Sequence, residues 1–150
     1  MRTSAKVDYA VRACIELAGA SEPMKGEAIG RAQDIPMKFL EHILSDLRRA
    51  QIVRSRRGAE GGYWLARPAA EITVADVIRA ADGPLATVRG LPPEEIDYGR
   101  GANALTGMWI AVRVSLRSVV ERVSLADLAA NELPAEIERL IDAPEAWQAR

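Results

Sequence analysis

The segment Glu27–Ala50, EAIGRAQDIPMKFLEHILSDLRRA, constrains the fold more than any other. It carries two helical patterns separated only by Gln33, Asp34 and Ile35, with Pro36 suited to the first turn of the second helix. So short a break forces the two helices to cross. Gly30 is small where they would meet, Asp34 tolerates a left-handed turn, and Ile35 and Leu40 can pin the second helix to the first. This is a helix-turn-helix pattern. On the second helix, Phe39, Leu40, Ile43, Leu44 and Leu47 form the expected buried stripe. Met37, Lys38, Glu41, His42, Ser45 and Arg48 then face outward, the arrangement by which a recognition helix enters a major groove.

The next stretch, QIVRSRRGAEGGYWLARP, predicts a β-hairpin. Residues Ile52 to Arg56 are extended, glycines 58, 61 and 62 make the turn, and Tyr63, Trp64 and Leu65 return. A hairpin directly after a recognition helix is a wing. From Arg48 to Arg57 the chain has five arginines (Arg48, Arg49, Arg54, Arg56, Arg57) and no acid, unlike an ordinary solvated face. The formal charge of −1 conceals this asymmetry. Through Pro68 there are 12 Lys and Arg against 8 Asp and Glu, net +4, and the remainder has 8 against 13, net −5. A polyanion would therefore bind the N-terminal half.

Around this motif the chain supplies further helices. From Lys6 to Gly19, Val7, Ala10, Val11, Cys14, Leu17 and Ala18 share one face, while Asp8, Arg12 and Glu16 occupy the other. Their spacing allows Asp8–Arg12 and Arg12–Glu16 pairs, each contributing about 0.2–0.5 kcal/mol. In ITVADVIRAADGP, Thr73 caps a helix, Asp76 returns the cap, Ile72 and Val77 form a staple, and Gly83-Pro84 ends it. The stretch from Leu85 to Ala102 has two prolines, several glycines and no sustained periodicity, and reads as a long loop. Beyond it, Leu105, Trp109, Val112, Leu116, Val119, Val123 and Ala126 recur in steps of four and three, the seam that partner helices bury. That predicts a dimerisation helix. Ser124 with Asp127 forms a second capping box for a short helix through Ala130, and Pro134 opens an amphipathic segment with Ile137, Leu140 and Ile141.

Composition excludes several classes of function. One cysteine, Cys14, permits no intramolecular disulfide and no cysteine-rich metal or cluster site within the chain. Cys14 falls on an apolar helix face without a basic neighbour there, so it reads as a small core residue. His42 is the only histidine and has no nucleophile, base or metal partner near it in sequence; a polar contact in the groove fits better than catalysis. The opening MRTSAKVDYA lacks the apolar run of a signal peptide or membrane span, so a soluble cytoplasmic protein is expected.

Taken in order, KVDYAVRA, IPMKFLEHILSDLRRA, RSRRGAEGGYWLARP, ITVADVIRAADG and VSLADL resemble the Rrf2 family of bacterial regulators along nearly the whole chain. The resemblance implies a mainly α fold: a winged helix-turn-helix with a small β-hairpin wing and a long dimerisation helix. It divides the chain into a DNA-binding domain over 1–84, a loop over 85–104, and the dimerisation helix with a helical C-terminal segment over 105–150. It further implies a homodimer, a repressor, on an inverted repeat of double-stranded DNA. Lys38, Glu41, His42 and Ser45 match the family's base-reading and phosphate-contacting face, and Arg57 with Gly58 its wing tip; Phe39 stands where the family often has tyrosine. Many members hold an iron–sulfur cluster through three cysteines, but the corresponding window, Leu85–Gly107, contains none. In some members a cluster ligand comes from the first helix, the region of Asp8, yet one carboxylate cannot replace three thiolates. A regulator without a cofactor is expected, with the Leu85–Ala102 loop and the helix around Trp109 as the sensing region for an effector or partner protein. The rival is a winged-helix interaction module whose partner is a metabolic enzyme, which would need an exposed apolar patch.

Overall fold

The computed structural model describes residues 3–99 and 101–148. Helix α1 (Ala5–Gly19) is followed by α2 (Gly26–Gln33), α3 (Met37–Arg49) and a hairpin of β1 (Val53–Arg56) and β2 (Gly62–Leu65). Then come α4 (Val74–Asp82), α5 (Asn103–Val120), α6 (Leu125–Ala129) and α7 (Ala135–Ile141), with single 3-10 turns at Ala69–Glu71, Pro93–Glu95 and Pro144–Trp147. The expected mainly helical architecture with one two-stranded antiparallel hairpin is what forms.

Helix α1 starts one residue before the expected onset because the Ser4 hydroxyl accepts the Val7 amide at 3.1 Å. It lies at the centre of the domain, packed against α2, α3, α4, α6 and β2. Its buried residues are Val7, Ala10, Ala13, Cys14 and Leu17, and the three in the middle are small. Ala13 is buried although it lies off the predicted stripe, because a helix enclosed on several sides has more than one inward face. The predicted Arg12–Glu16 pair does not form directly. Gln33 stands between them: Arg12 donates to Gln33 Oε1 at 3.0 Å and to the Gln33 carbonyl, and Gln33 Nε2 donates to Glu16. Arg12 keeps its pair with Asp8 at 3.3 Å.

Both capping boxes occur as the sequence suggests, Thr73 with Asp76 and Ser124 with Asp127. They start side by side. Val74 N donates to Val123 O and Leu125 N to Ile72 O, each at 2.9 Å, so α6 is laid against the N-terminus of α4. Leu125 is fully buried in the same core as Ile29, Leu40, Leu44 and Ile72. Helix α6, grouped by the sequence with the dimerisation segment, thus completes the winged domain.

The loop expected after Leu85 forms and has local order: Val88 and Leu91 exchange backbone hydrogen bonds of 2.9 and 3.0 Å, Pro93 and Ile96 are buried, and the Arg89 guanidinium lies over Tyr98. Single turns of this kind have no period to read. Val123, placed on the dimerisation stripe by spacing, lies past the end of α5 and is buried within its own chain.

Leu125→Ala is expected to destabilise the chain by about 2–5 kcal/mol, as for a leucine in a packed core. The urea midpoint measures it; a shift no larger than that of an exposed alanine substitution would place α6 outside the cooperative unit.

Candidate nucleic-acid interface

The α2–α3 turn is set by sterics. Asp34 adopts φ 52° and ψ 48°, and Ile35 N donates to Gly30 O at 2.8 Å while its side chain is buried. A Cβ on Gly30 would meet Ile35 O and Met37 Sδ, both at 3.1 Å, so glycine lets the chain turn this tightly. Pro36 is not in the first helical turn as expected; it is the cap residue, extended at ψ 130°, and its carbonyl accepts Phe39 N and Leu40 N.

Leu40, Ile43, Leu44 and Leu47 bury one face of α3. Lys38, Glu41 and His42 are exposed away from that stripe with Ser45 half-buried among them, while Met37, beside Gly30, and Arg48 are exposed on its flank. Phe39 departs from its predicted place in the core: it is 59% exposed. At about 100° per residue it sits roughly 90° from the centre of the buried stripe, on the flank that faces α1. There Tyr9 meets it edge-on, with ring centroids 6.4 Å apart, and the Arg12 guanidinium covers Tyr9 at 5.7 Å. On the same flank Lys6 pairs with Asp46 at 2.8 Å and donates to the Ala81 carbonyl at 2.5 Å. The Lys6 ammonium, with help from Arg49, holds the Asp46 carboxyl below its ordinary range.

The hairpin pairs Val53 with Leu65, Arg54 with Trp64, Ser55 with Tyr63 and Arg56 with Gly62. It is anchored from outside: Met24 and Tyr63 exchange backbone hydrogen bonds of 2.9 and 2.8 Å, a third, one-residue strand. Gly62 passes so close that a Cβ would stand 2.7 Å from Met24 O. This anchor brings Lys25 to the wing tip, where it donates to Gly58 O at 2.5 Å. Sequence reasoning missed Lys25, because only the long-range pairing of Met24 with Tyr63 puts it there.

The predicted cations fall into two groups. Arg49 pairs with Asp46 at 2.9 Å, Arg48 reaches across to Ser55 Oγ at 3.3 Å, and Arg56 donates to the Glu60 carbonyl at 3.2 Å. These three serve partly as braces. The side chains of Lys38, His42, Arg54 and Arg57 have no hydrogen-bond or ion-pair partner among the described residues. Gly58, at φ 106°, turns the tip.

Donor chemistry for a metal is poor. Cys14 is fully buried, and desolvation pushes its thiol up to about 12. Among the described residues no three His, Cys, Asp or Glu side chains converge on a point.

An exposed polar face on the second helix of a helix-turn-helix, flanked by an arginine-bearing hairpin, is a winged DNA-reading arrangement, and comparison with known proteins agrees. The family model for Rrf2, described as an iron-dependent transcriptional regulator, matches residues 3–131. The chain belongs to the Rrf2 family. It is 49% identical over 144 residues to an HTH-type transcriptional regulator of Mycobacterium tuberculosis, Rv1287, covering 95% of this chain and 89% of that one. To the HTH-type transcriptional regulator CymR of Bacillus subtilis it is 34% identical over 131 residues, covering 86% and 90%. The structure of CymR, the global cysteine regulator of B. subtilis, superposes with a TM-score of 0.74 at 31% identity, covering 89% of this chain and 99% of that one. That of T. potens IscR gives 0.69 at 31% identity, covering 100% and 93%. This Rrf2 protein is thus a transcriptional regulator of the winged helix-turn-helix class and not an enzyme. No described helix is long and apolar enough to cross a membrane.

Two measurements probe the interface. Arg57→Ala should weaken binding evenly across DNA sequences and lower the slope of log affinity against log salt by about 1, whereas His42→Ala should change which sequence is preferred. Equal losses on specific and random duplexes for His42→Ala would remove it from the base-reading face. Because the Asp46 pKa is lowered on folding, its pairing contributes stability above the unfolded carboxylate pKa that is lost as pH falls through the folded value. Asp46→Asn should therefore flatten the acid limb of a stability–pH curve, as followed by urea titrations.

Proposed function

We propose that this Rrf2 protein is a repressor that binds an inverted repeat as a homodimer, without an iron–sulfur cluster. The observation that carries the dimer is α5. Over 18 residues, about 27 Å at 1.5 Å per residue, none of its described side chains is fully buried. Leu105, Trp109, Val112, Leu116 and Val119 are only half-covered, and Met108 and Val114 are exposed. Each apolar side chain left in water forgoes about 1.5–3 kcal/mol of burial. A second α5 meets that need and sets two recognition helices about one DNA turn apart, which a two-fold operator matches. Occupying such a site blocks polymerase access, so repression is the expected outcome.

The absence of a cluster rests on donor count. With one cysteine, buried in α1, and one histidine, on the outer face of α3, the chain's residues do not fit a thiolate-held cluster, whatever the family model's description.

A second, compatible reading is favoured by the C-terminal segment. Leu140, Ile141 and Trp147 are exposed, Trp147 to 77%, and its indole N–H folds back onto the Ile141 carbonyl at 2.7 Å. An apolar patch of this kind suits contact with another protein, such as a metabolic enzyme.

Selection of bound duplexes from a random pool by the purified, metal-free protein tests the main reading, with an enriched inverted repeat expected. Affinity for it should fall about a thousandfold between roughly 50 and 200 mM salt, for 6–10 neutralised phosphates. Val112→Glu should shift the protein to monomer in sedimentation and cost about a hundredfold in affinity for the full repeat, but little for a half-site. A stable dimer in that variant would move the interface off α5.

A further inference from the structure

The joint between the winged domain and α5 is a crevice with two kinds of wall. One end, of about 190 Å³, lies between the start of α1, the end of α4 and α5, and is lined by Val7, Ile78, Leu85 and Leu116, with Asp82 at its edge accepting from the Ser4 hydroxyl at 2.5 Å. The other, of about 470 Å³, is lined by Arg79, Arg113, Arg117 and Glu94. The two ends share the Gly83-Pro84-Leu85 turn, so they are contiguous. Counted by the roughly 30 Å³ that a water molecule occupies in the liquid, the apolar end has room for a body of about six non-hydrogen atoms.

The cationic end already holds carboxylates that belong to the chain. Arg113 Nη1 donates to both oxygens of Glu94, at 2.9 and 3.2 Å. Arg117 Nε donates to Glu121 at 2.9 Å, and Arg79 pairs with the same Glu121 oxygen. Three guanidiniums face three carboxylates, Glu94, Glu121 and Asp76, the last 3.7 Å from Arg79, so a carboxylate from outside enters by exchange with one of them. Glu94 sits in the 3-10 turn of the 85–102 segment, and its bond to Arg113 ties that segment to α5. It is a carboxylate delivered on a tether, and its geometry shows which group the site accepts.

We infer that this crevice binds a small organic carboxylate with an apolar body, whose carboxylate displaces Glu94 from Arg113 while the body fills the space beside Val7, Ile78 and Leu85. Displacement frees the Pro93–Glu95 turn from α5 and seats a ligand between α4 and α5, the helices that join the DNA-reading head to the proposed dimer seam. Binding then alters the angle between the two heads and so the affinity for DNA. This regulatory half rests on the DNA-binding dimer proposed above; occupancy of the crevice does not.

Thermal unfolding of the full chain with 4-methylpentanoate, and with its neutral amide, tests the site without DNA. At about ten times its Kd the carboxylate should raise Tm by about 3–6 °C, and the amide should not. Arg113→Gln should weaken carboxylate binding about tenfold, the loss of a charge-assisted hydrogen bond. Glu94→Gln should tighten it severalfold, since the internal competitor is gone. A merely structural Arg113–Glu94 brace would not move the two variants in opposite directions. Leu85→Trp, on the wall of the crevice and outside the core, should abolish binding while the protein stays folded. On the selected operator, the carboxylate should change the Kd of the wild type at least threefold and leave that of Leu85→Trp unchanged. No Tm rise in the wild type, as when a partner helix fills the crevice, overturns the site. So does an equal rise with the amide, or equal affinities in the Arg113 and Glu94 variants. A Tm rise with unchanged operator affinity overturns the regulatory half, and failure to bind any duplex is read separately, in the selection itself.

Discussion

Enclosure of α1 is the constraint on which the other elements depend. The middle of this helix offers Ala10, Ala13 and Cys14, all fully buried, where neighbours approach from several sides. Side chains of one to two heavy atoms let α2, α3, α4, α6 and β2 come close enough to share a single core. Larger residues here would push at least one neighbour outward, and the neighbours include both helices of the helix-turn-helix. The placement of the recognition helix is therefore decided by α1 before any DNA-facing residue matters. The same packing explains why Cys14 reads as structural: its thiol is surrounded by apolar groups that disfavour the thiolate.

Polar braces refine what the core sets roughly. Lys6–Asp46 ties α3 to α1 and, through the Ala81 carbonyl, to the end of α4. Arg12, carrying Gln33, fixes the end of α2 and satisfies one of its last carbonyls. Exposed ion pairs of this type contribute little to stability singly, typically below about 1 kcal/mol. Their effect is on angle: they hold the flank of α3 that carries Phe39 against α1 and leave the face with Lys38 and His42 free. Arg48 and Arg49 are spent in part on the same task, so the arginine-rich run is both a source of positive field and a set of struts between α3 and the hairpin.

Features governed by neighbours in sequence were legible in the sequence. The left-handed Asp34, the small Gly30, the position of the hairpin and both capping boxes each depend on a few consecutive residues. Features decided by distant contacts were not. Phe39 fits an apolar stripe by spacing, but a border position can face either way, and the contact with Tyr9 settles it on the surface. Val123 continues the four-three rhythm of α5, yet the helix stops at Val120 because the following residues pair with α4. Lys25 carries no local signal for a place at the wing. Residues 85–102 lack periodicity because their order comes from turns, two buried side chains and the Arg113–Glu94 pair.

The position of α5 links these points. It meets the winged domain through α4 and the Pro93–Glu95 turn, and none of its described side chains is fully buried there, with Met108 and Val114 exposed. In the proposed dimer, α5 takes its orientation from the second copy, and the winged domain follows through the contacts at the α4 joint. Such a joint is soft: its ion pairs are exposed and its packing is partial, so small free energies shift it, whereas the core around α1 resists. In the proposed dimer, a change of angle at this joint would alter the spacing of the two recognition helices while the core around α1 keeps each DNA-reading surface in shape.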